Sequence, residues 1–381
     1  MQVEFVKKEL EVKTAYIAKA NIPSTSANSI HVMKISEAFS TLCEDFWLII
    51  PESQKENRDI KKIFSTYGVS PFNVAEVKMA TSGIGSRYLF PLKCLWKARN
   101  ADKIVTRDPL VAFVSVLFHK QTVLDLHGDL RHLCGRAYRI ILWKRFRDSK
   151  YLHLVMITRG LASYYHEKYQ VRMDKMTVLP DGYTSQSFEK IIPKKLLQSE
   201  IMQIGYCGGF IVGKGLGLIQ KLTLQDNQNE YNLYGGSKEN AQKEVQGYFG
   251  DNTRFGGYVA NVMIPEILND QDILLLPNQR QQICKNEDIG KVTSPLKMFE
   301  YMASGKVIIA SDLPVLREIL DESNCYFADA DDVESWKKSI DHISQNREEA
   351  VCKAQKAQQD VKQYTWKIRA KRILNLLEGN S

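Results

Sequence analysis

The stretch TSPLKMFEYMASGKVIIASDLPVLREIL (residues 293–320) contains the signals of a helix, a strand and a second helix in close succession. Ser294 and Pro295 are residue types favoured at a helix start, and Gly305 is typical of a helix end. The apolar run KVIIA after that glycine predicts a buried strand, and Asp312 with Pro314 indicates the start of a further helix. Such alternation is typical of an α/β protein with a parallel sheet.

The predicted helix carries a lysine, Lys297, in the first turn, where acidic residues usually complement the helix dipole. The free amides of a helix start attract anions, so we expect a ligand to supply the negative charge near Ser294, Pro295, Leu296 and Lys297. Glu300, about one turn further on, has two oxygens that can accept hydrogen bonds from the vicinal hydroxyls of a nucleotide ribose. Ordinary capping of one more β-α unit is the alternative interpretation.

A second anion site is predicted in GYCGGFIVGKGLGLI (residues 205–219), where a short apolar strand runs into a glycine-rich turn before a helix. Glycines such as Gly213 let backbone amides approach a phosphate, and Lys214 supplies a point charge. The stretch matches neither the phosphate-binding P-loop nor the G-x-G-x-x-G fingerprint. An ordinary turn is the alternative here.

The β-α alternation continues along nearly the whole chain and restarts near residue 200, which predicts two doubly wound, Rossmann-like domains facing across a cleft. We expect an N-terminal domain at residues 1–190 and a C-terminal domain at 200–355. The polar, proline-bearing stretch between them is typical of a linker. Residues 356–381 are expected to form a C-terminal helix that packs back on the first domain.

The composition of the 381-residue chain is that of a globular protein, with 44% hydrophobic and 25% charged residues. The 52 Lys and Arg against 44 Asp and Glu give a net charge of +8, which favours anionic partners. The seven cysteines have no C-x-x-C spacing and suit a reducing compartment. The sequence shows neither a signal peptide nor a membrane span, so we expect a cytoplasmic protein, peripheral on the inner face of the membrane if it contacts one.

These motifs together resemble the family 4 nucleotide-sugar glycosyltransferases of the GT-B fold. The resemblance covers most of the chain and is carried by residues 294–320, 204–219, 257–277, 156–188 and 364–374. It implies a retaining transfer from a nucleotide-diphosphate sugar bound by the C-terminal domain, at residues 200–355, to an acceptor bound by the N-terminal domain, at residues 1–190. The donor diphosphate would be held by Lys214 and by Ser294 through Lys297, and the ribose by Glu300. The resemblance also implies that His127 in LDLHGD lies near the transferred sugar, so that His127 and Lys214 are the expected catalytic residues. A core histidine is the alternative interpretation of His127.

Two positions depart from the pattern of this family. The family commonly has two glutamates with seven residues between them, and here the first position is Val292. It also often has an arginine five residues before the phosphate-loop lysine, where this chain has Gly209. Arg280, Glu287, Asp288 or Lys291 could compensate, but spacing favours none of them.

Other candidate sites are weaker. Asp329–Asp331 has the D-x-D spacing of a metal site but is better interpreted as helix capping, so we expect no obligatory metal or cofactor. Ser26 or Asn28 is expected to cap the helix that follows, and His31 is a weaker candidate for acceptor contact. No nucleic-acid-binding motif accompanies the positive charge, so we expect no nucleic-acid partner.

Basic and aromatic segments in the first half raise the question of a lipid contact. In FPLKCLWKARNADK (residues 90–103), Lys93 and Lys97 share a helical face that we expect to point away from Leu92 and Leu95. Such a helix could rest on an anionic membrane, while a solvated surface is the alternative.

The predicted function is glycosyl transfer to a glycan or lipid-linked glycan acceptor, in the synthesis of a bacterial surface polysaccharide such as lipopolysaccharide or capsule. Two other functions stay open. One is a nonhydrolysing sugar-nucleotide epimerase, which would act on donor without an acceptor. The other is a non-catalytic partner subunit that binds sugar nucleotide, which Val292 and Gly209 make credible.

Overall fold

The computed structural model describes residues 10–52, 60–79, 86–130, 144–281, 283–284, 287–288, 290, 292 and 294–376. The chain divides into two compact units, residues 1–180 with 366–381 (the first domain) and residues 181–365 (the second domain). The division therefore falls about ten residues before the expected linker, and the chain returns to the first domain at Trp366.

The described part of the first domain contains a seven-stranded parallel sheet in the order β3-β2-β1-β4-β5-β6-β7. Its strands are β1 (Leu10–Ile17), β2 (Cys43–Pro51), β3 (Asn73–Val77), β4 (Lys103–Thr106), β5 (Gln121–Leu126), β6 (Leu152–Met156) and β7 (Met176–Val178). The helices between them are α1 (Ala27–Leu42), α2 (Ile60–Tyr67), α3 (Ser86–Lys97), α4 (Pro109–Leu117), α5 (Lys144–Arg147) and α6 (Arg159–Tyr169).

The second domain repeats this plan with a six-stranded parallel sheet in the order β10-β9-β8-β11-β14-β15, beside a two-residue hairpin of β12 and β13. The strands are β8 (Gln203–Cys207), β9 (Glu230–Tyr234), β10 (Thr253–Gly257), β11 (Ile273–Leu276), β12 (Ile283–Cys284), β13 (Glu287–Asp288), β14 (Val307–Ser311) and β15 (Tyr326–Ala328). The helices are α7 (Ser185–Glu189), α8 (Leu216–Gln225), α9 (Lys238–Val245), α10 (Ile264–Asn269), α11 (Leu296–Ser304), α12 (Val333–Gln345) and α13 (Arg347–Asp360).

The last helix, α14 (Trp366–Asn375), is part of the first domain and packs on α1. Its buried side chains include Trp366, Ile373 and Leu374, and the buried ammonium of Lys103 donates to the Leu374 carbonyl at 3.2 Å. Helix α13, by contrast, packs against α11 and β14 of the second domain. The predicted return of the chain end thus involves α14 alone.

Both sheets reverse their strand order at one point, between β1 and β4 in the first domain and between β8 and β11 in the second. Strands β11 and β14 are buried from end to end, and β8 is buried from Ile204 onward, because helices cover both faces of a doubly wound parallel sheet. Ligands of such sheets bind at the carboxyl ends of the strands beside the reversal. The predicted doubly wound fold is confirmed in both domains, and the reversal in the second domain lies beside the glycine-rich loop.

Three local predictions are wrong or incomplete. The sequence analysis does not predict edge strands β3 and β15, because their partly exposed residues lack a clear apolar run. The helix expected after Asp312 is absent, and residues 313–320 form consecutive hydrogen-bonded turns instead. There the Asp312 carboxylate binds the Arg317 guanidinium, at 2.5 Å from Nε and 3.1 Å from Nη2, rather than capping backbone amides.

Candidate functional site

The glycine-rich loop after β8 is fixed against the segment that follows β11. Gly213 donates its N–H to Oε1 of Gln279 at 3.2 Å, and Gln279 returns a backbone bond to the Gly213 carbonyl at 3.1 Å. Gly215 starts helix α8 in the left-handed region, with φ of +80°, and a Cβ there would lie 1.8 Å from the Pro277 carbonyl oxygen. Lys214, between these two glycines, is half-buried. Its backbone is therefore positioned by contacts that only glycine permits on either side.

Helix α11 starts one residue later than the sequence predicts. Pro295 is the N-cap and Leu296 the first helical residue, with no side chain capping the free amides. The Ser294 hydroxyl, expected to be the cap, is buried without a hydrogen-bond partner among the described residues. Because Pro295 has no side-chain acceptor to offer, the first amides of α11 keep the unsatisfied donors that an anion requires.

Lys297 combines a half-buried side chain with an ammonium nitrogen that is shielded from solvent and has no hydrogen-bond acceptor in the described structure. Its Nζ lies 4.2 Å from the centroid of the Tyr206 ring, at the end of β8. Burial, and then the charge of nearby Lys214, hold the pKa of Lys297 well below its usual range. The two predicted cations, from segments about 80 positions apart, thus lie close enough to repel each other.

The adjacent residues of α11 fix this helix against β8. The buried Tyr301 hydroxyl accepts the Cys207 N–H at 2.8 Å. Glu300 accepts a hydrogen bond from the Asn261 side-chain amide at 3.1 Å. Burial, and then the nearby Glu300 carboxylate, raise the pKa of the Cys207 thiol to about 12, with Lys297 opposing the shift. The structure therefore brings Lys214, Lys297 and Glu300 together around the carboxyl end of β8.

The structure limits which residue can replace the arginine missing at Gly209. Arg280 is engaged by two carboxylates, at 2.8 Å from Asp329 and 2.7 Å from Asp331. Lys291 and the side chains of Glu287 and Asp288 lie outside the described residues. Lys297 is thus the described cation best placed to add to the charge of Lys214.

The DAD segment does not have the capping role expected for it. The cap of α12 is the next residue, Asp332, which accepts the Glu334 N–H at 3.0 Å. The Asp329 carbonyl accepts the Trp336 indole N–H at 2.8 Å. With Asp329 and Asp331 both bound to Arg280, these contacts explain the three acids without a metal.

His127 follows β5 in the first domain and lies in a cluster of charged and aromatic groups. Its Nε2 is 3.2 Å from Oδ2 of Asp125, and its ring centroid is 4.7 Å from that of His31. Arg369 of α14 binds the other Asp125 oxygen at 2.7 Å. The rings of His31 and Trp366 are in edge contact, with their centroids 5.0 Å apart, so Trp366 also belongs to the cluster.

The charge of Asp125 sets the chemistry of this cluster. Burial opposes its ionisation, but Arg369, His127 and His31 outweigh burial and hold the Asp125 pKa well below its usual range. The ionised Asp125 carboxylate lies 3.2 Å from Nε2 of His127 and favours a proton on that ring nitrogen. The neighbouring Arg107 guanidinium contacts Asn28 at 2.7 Å and His31 at 3.3 Å.

His31, Asp125 and His127 present donor atoms within 4.8 Å of one another, a spacing that could accept a metal ion. The chemistry of the surroundings argues against one, because Arg369 already neutralises Asp125 and Arg107 adds a second positive charge beside His31. A divalent cation would have to displace or repel these guanidinium groups. The predicted absence of an obligatory metal stays a prediction.

The loop after His127 is fastened by aromatic hydroxyls from α6. Asp129 accepts hydrogen bonds from Tyr164 and Tyr169, each at 2.5 Å. Tyr165 donates to the Gly128 carbonyl at 2.8 Å. Since Gly128 adjoins His127, this arrangement restricts the backbone that carries the histidine.

Several of these partners gave no signal in the sequence. Asn261, Tyr301 and Arg369 are ordinary residues in helices or turns, and only their tertiary contacts identify them. Asp125 lies on β5 and His127 just after its end, two positions apart, so their proximity could have been inferred from the period of two. Ser26 does cap α1, accepting the Ser29 N–H at 3.3 Å, as one of the two alternatives predicted.

Two doubly wound domains are the plan of the GT-B fold, and the second domain carries a shielded lysine ammonium at a helix start. Residues 203–346 match the model of the family described as glycosyl transferases group 1. This region contains the glycine-rich loop, Lys297 and Glu300. The family match and the fold together support a glycosyltransferase.

Solved structures show the same fold at low sequence identity. The Anabaena protein HepE, in complex with UDP and glucose, has a TM-score of 0.71 at 13% identity, covering 97% of this chain and 100% of that chain. A glycosyltransferase from Rickettsia africae has a TM-score of 0.73 at 12% identity, over 97% and 98% of the two chains. WaaG, a glycosyltransferase involved in lipopolysaccharide biosynthesis, has a TM-score of 0.63 at 13% identity, over 96% and 100%. No curated protein sequence matches significantly.

Proposed function

We propose that this chain is a retaining glycosyltransferase of family 4, which moves a sugar from a nucleotide-diphosphate donor to a glycan or lipid-linked glycan. The observation that carries the proposal is the Lys297 ammonium, buried without an acceptor beside Lys214 at the uncapped start of α11. A shielded ammonium without an acceptor, as at Lys297, is costly unless an anion completes the site. The donor diphosphate supplies that anion.

The donor fits this site residue by residue. The two lysines, the Ser294 hydroxyl and the first amides of α11 bind the diphosphate, and Glu300, oriented by Asn261, accepts hydrogen bonds from the ribose hydroxyls. UDP and glucose in the HepE complex favour a uridine donor. The WaaG similarity supports an acceptor in lipopolysaccharide or a related bacterial surface glycan.

The roles of these residues in the reaction follow from the position at which negative charge develops. As the bond from the anomeric carbon to the diphosphate breaks, negative charge develops on the departing oxygen, and the preorganised lysines and amides stabilise it. The acceptor hydroxyl forms the new bond on the same face, and its proton passes to the departing diphosphate. His127, whose Nε2 lies beside the Asp125 carboxylate, positions the transferred sugar.

Replacing Glu300 tests the assignment of the ribose contact. We expect Glu300→Ala to weaken UDP binding by about 1.5–3 kcal/mol, the range for losing hydrogen bonds to a charged group. Isothermal titration with UDP measures the change, and thermal shift with UDP, GDP and ADP identifies the preferred base. Glu200→Ala, an exposed glutamate in the same domain, is the matched control. Equal UDP affinity in Glu300→Ala and the control would remove this role.

Measurements of turnover distinguish glycosyl transfer from the two alternative functions. Release of UDP from a UDP-sugar only when an extracted glycan acceptor is present supports transfer. Conversion of the sugar nucleotide without any acceptor would instead indicate an epimerase. UDP binding without turnover on any acceptor would indicate the non-catalytic partner subunit, in keeping with Val292 at the position of the family's first glutamate.

A further inference from the structure

Helix α3 presents a row of large apolar side chains to solvent. Leu89 is 48% exposed, Leu92 45% and Trp96 65%. Spacings of three and four residues place them on one side of the helix, while Phe90 and Cys94 on the other side are buried in the domain core. We call these three exposed residues the α3 face.

Basic side chains border the α3 face on both sides. Lys93 and Lys97 are exposed and, one helical turn apart, lie along one edge. On the other edge the Arg99 guanidinium lies 5.0 Å from the centroid of the Trp96 ring. The sequence interpretation that the lysines point away from Leu92 is therefore wrong, since Leu92 is exposed beside them. The helix is amphipathic with its apolar row outward.

The neighbouring end of α4 adds a second apolar pair. Leu117 is 59% exposed and Phe118 62%. Lys120, just beyond them, donates from Nζ to the carbonyls of Arg99 at 3.1 Å and Ala101 at 2.6 Å, which ties this end of α4 to the end of the α3 face. The apolar pair at the end of α4 is therefore near the C-terminal end of α3.

A cavity of about 350 Å³ adjoins this surface. Lys13, Lys97 and Arg99 contribute to its lining together with the exposed Trp47, and Asp45 is the carboxylate among its lining residues. Three cations against one carboxylate make the cavity attractive to an anionic group of the size of a phosphodiester headgroup.

We propose that the α3 face binds the surface of an anionic phospholipid bilayer. The three apolar side chains enter the boundary between headgroups and acyl chains, the indole of Trp96 lies at the headgroup level, and Lys93, Lys97 and Arg99 bind lipid phosphates. None of the helices in the described ranges has the length and apolarity to cross a membrane, so the contact is peripheral.

The positive charges that border the α3 face favour an anionic bilayer over a second copy of the chain as its binding partner. A symmetric dimer through the α3 face would place Lys93, Lys97 and Arg99 against the same three cations of the partner. Like charges across an interface oppose association, whereas an anionic bilayer complements them. The apolar row and its basic border therefore fit lipid better than self-association.

The test is sedimentation of the full chain with vesicles of phosphatidylglycerol and phosphatidylcholine, and with phosphatidylcholine alone. We expect binding only to the anionic vesicles. Since each surface lysine contributes about fivefold, Lys93→Gln with Lys97→Gln should weaken binding about 25-fold, and Trp96→Ser should weaken it at least as much. Tyr248→Ser, at a residue 78% exposed in the second domain, is the matched control.

The proposal is overturned if the protein does not bind anionic vesicles, or if Trp96→Ser binds them as well as the control does. It is also overturned if sedimentation velocity shows a dimer of the wild type that the Trp96→Ser substitution dissociates. Phosphatidylcholine binding equal to anionic binding would also overturn it. UDP-induced thermal stabilisation is measured on every variant. Because the α3 face and the donor site are in different domains, either proposal can fail without the other.

Discussion

At the scale of single residues, we expect Lys297 to lower the stability of the ligand-free protein and to strengthen the binding of UDP. Its ammonium is buried without an acceptor beside Lys214. We expect Lys297→Met to raise the free energy of unfolding of the ligand-free protein by about 1–3 kcal/mol, because an unpaired buried polar group is removed. The same variant should bind UDP more weakly, since the diphosphate loses a cation. Chemical denaturation and UDP titration measure the two effects.

The pH dependence provides an independent check on Lys297. A lowered lysine pKa in the folded state means that the unfolded chain binds more protons, so wild-type stability gains as pH rises from the lowered value toward the ordinary lysine pKa. Lys297→Met should lack this part of the gain. Lys338→Met is the control, because Lys338 is exposed on α12 of the same domain. Loss of stability in Lys297→Met with unchanged UDP affinity would contradict the assignment.

At the scale of elements, the glycine-rich loop depends on Gly215. A Cβ at this position meets the Pro277 carbonyl oxygen at 1.8 Å, and φ is +80°. The left-handed conformation alone costs about 1–2 kcal/mol for alanine, and relieving the clash would move the loop from the chain after β11. We expect Gly215→Ala to destabilise the protein by more than this amount and to abolish UDP-induced thermal stabilisation.

Gly217, two positions further along, is the control for Gly215. It lies in α8, and a Cβ there would meet nothing within 4 Å. Gly217→Ala should raise stability by about 0.5–1 kcal/mol and leave the UDP response intact. Equal behaviour of the two alanine variants in thermal denaturation would show that Gly215 does not fix the loop.

At the scale of the whole molecule, α14 contributes its charge to the first domain although it follows the entire second domain in sequence. Arg369 binds Asp125 at 2.7 Å, and both side chains are buried. We expect Arg369→Met to cost about 3–5 kcal/mol at neutral pH, because Asp125 is left as a buried charge without its strongest partner. Hydrogen exchange should report faster opening in first-domain peptides and little change in the second domain.

Lowering the pH should reduce the difference in free energy of unfolding between Arg369→Met and the wild type. The lowered Asp125 pKa contributes wild-type stability that is present above the ordinary aspartate value and lost as pH falls through the lowered one. Without Arg369, burial favours the neutral acid, so the variant loses less over the same range. Arg372→Met, exposed on the same helix, is the control. A difference in free energy of unfolding between Arg369→Met and the wild type that does not change with pH would contradict this explanation.

Local patterns predicted the elements because the forces that form them are local. The apolar runs of β8, β11 and β14, and the glycine after α11, are visible within a few residues. The same patterns failed at the edge strands β3 and β15, where burial is incomplete and no continuous apolar run develops. They also failed after Asp312, where Arg317 takes the carboxylate that would have capped a helix.

The sequence by itself determined the two doubly wound sheets, the glycine-rich loop with Lys214 and the segment that carries Lys297 and Glu300, because hydrophobic period and capping are set by near neighbours. Only the tertiary structure decided that Lys297 would lie over Tyr206, that Tyr301 would fix α11 to β8, and that Arg369 would reach Asp125 across 244 positions. Those contacts depend on which strands become neighbours in the sheet. Strand order arises from packing the whole domain, so it has no signature within any single stretch of the chain.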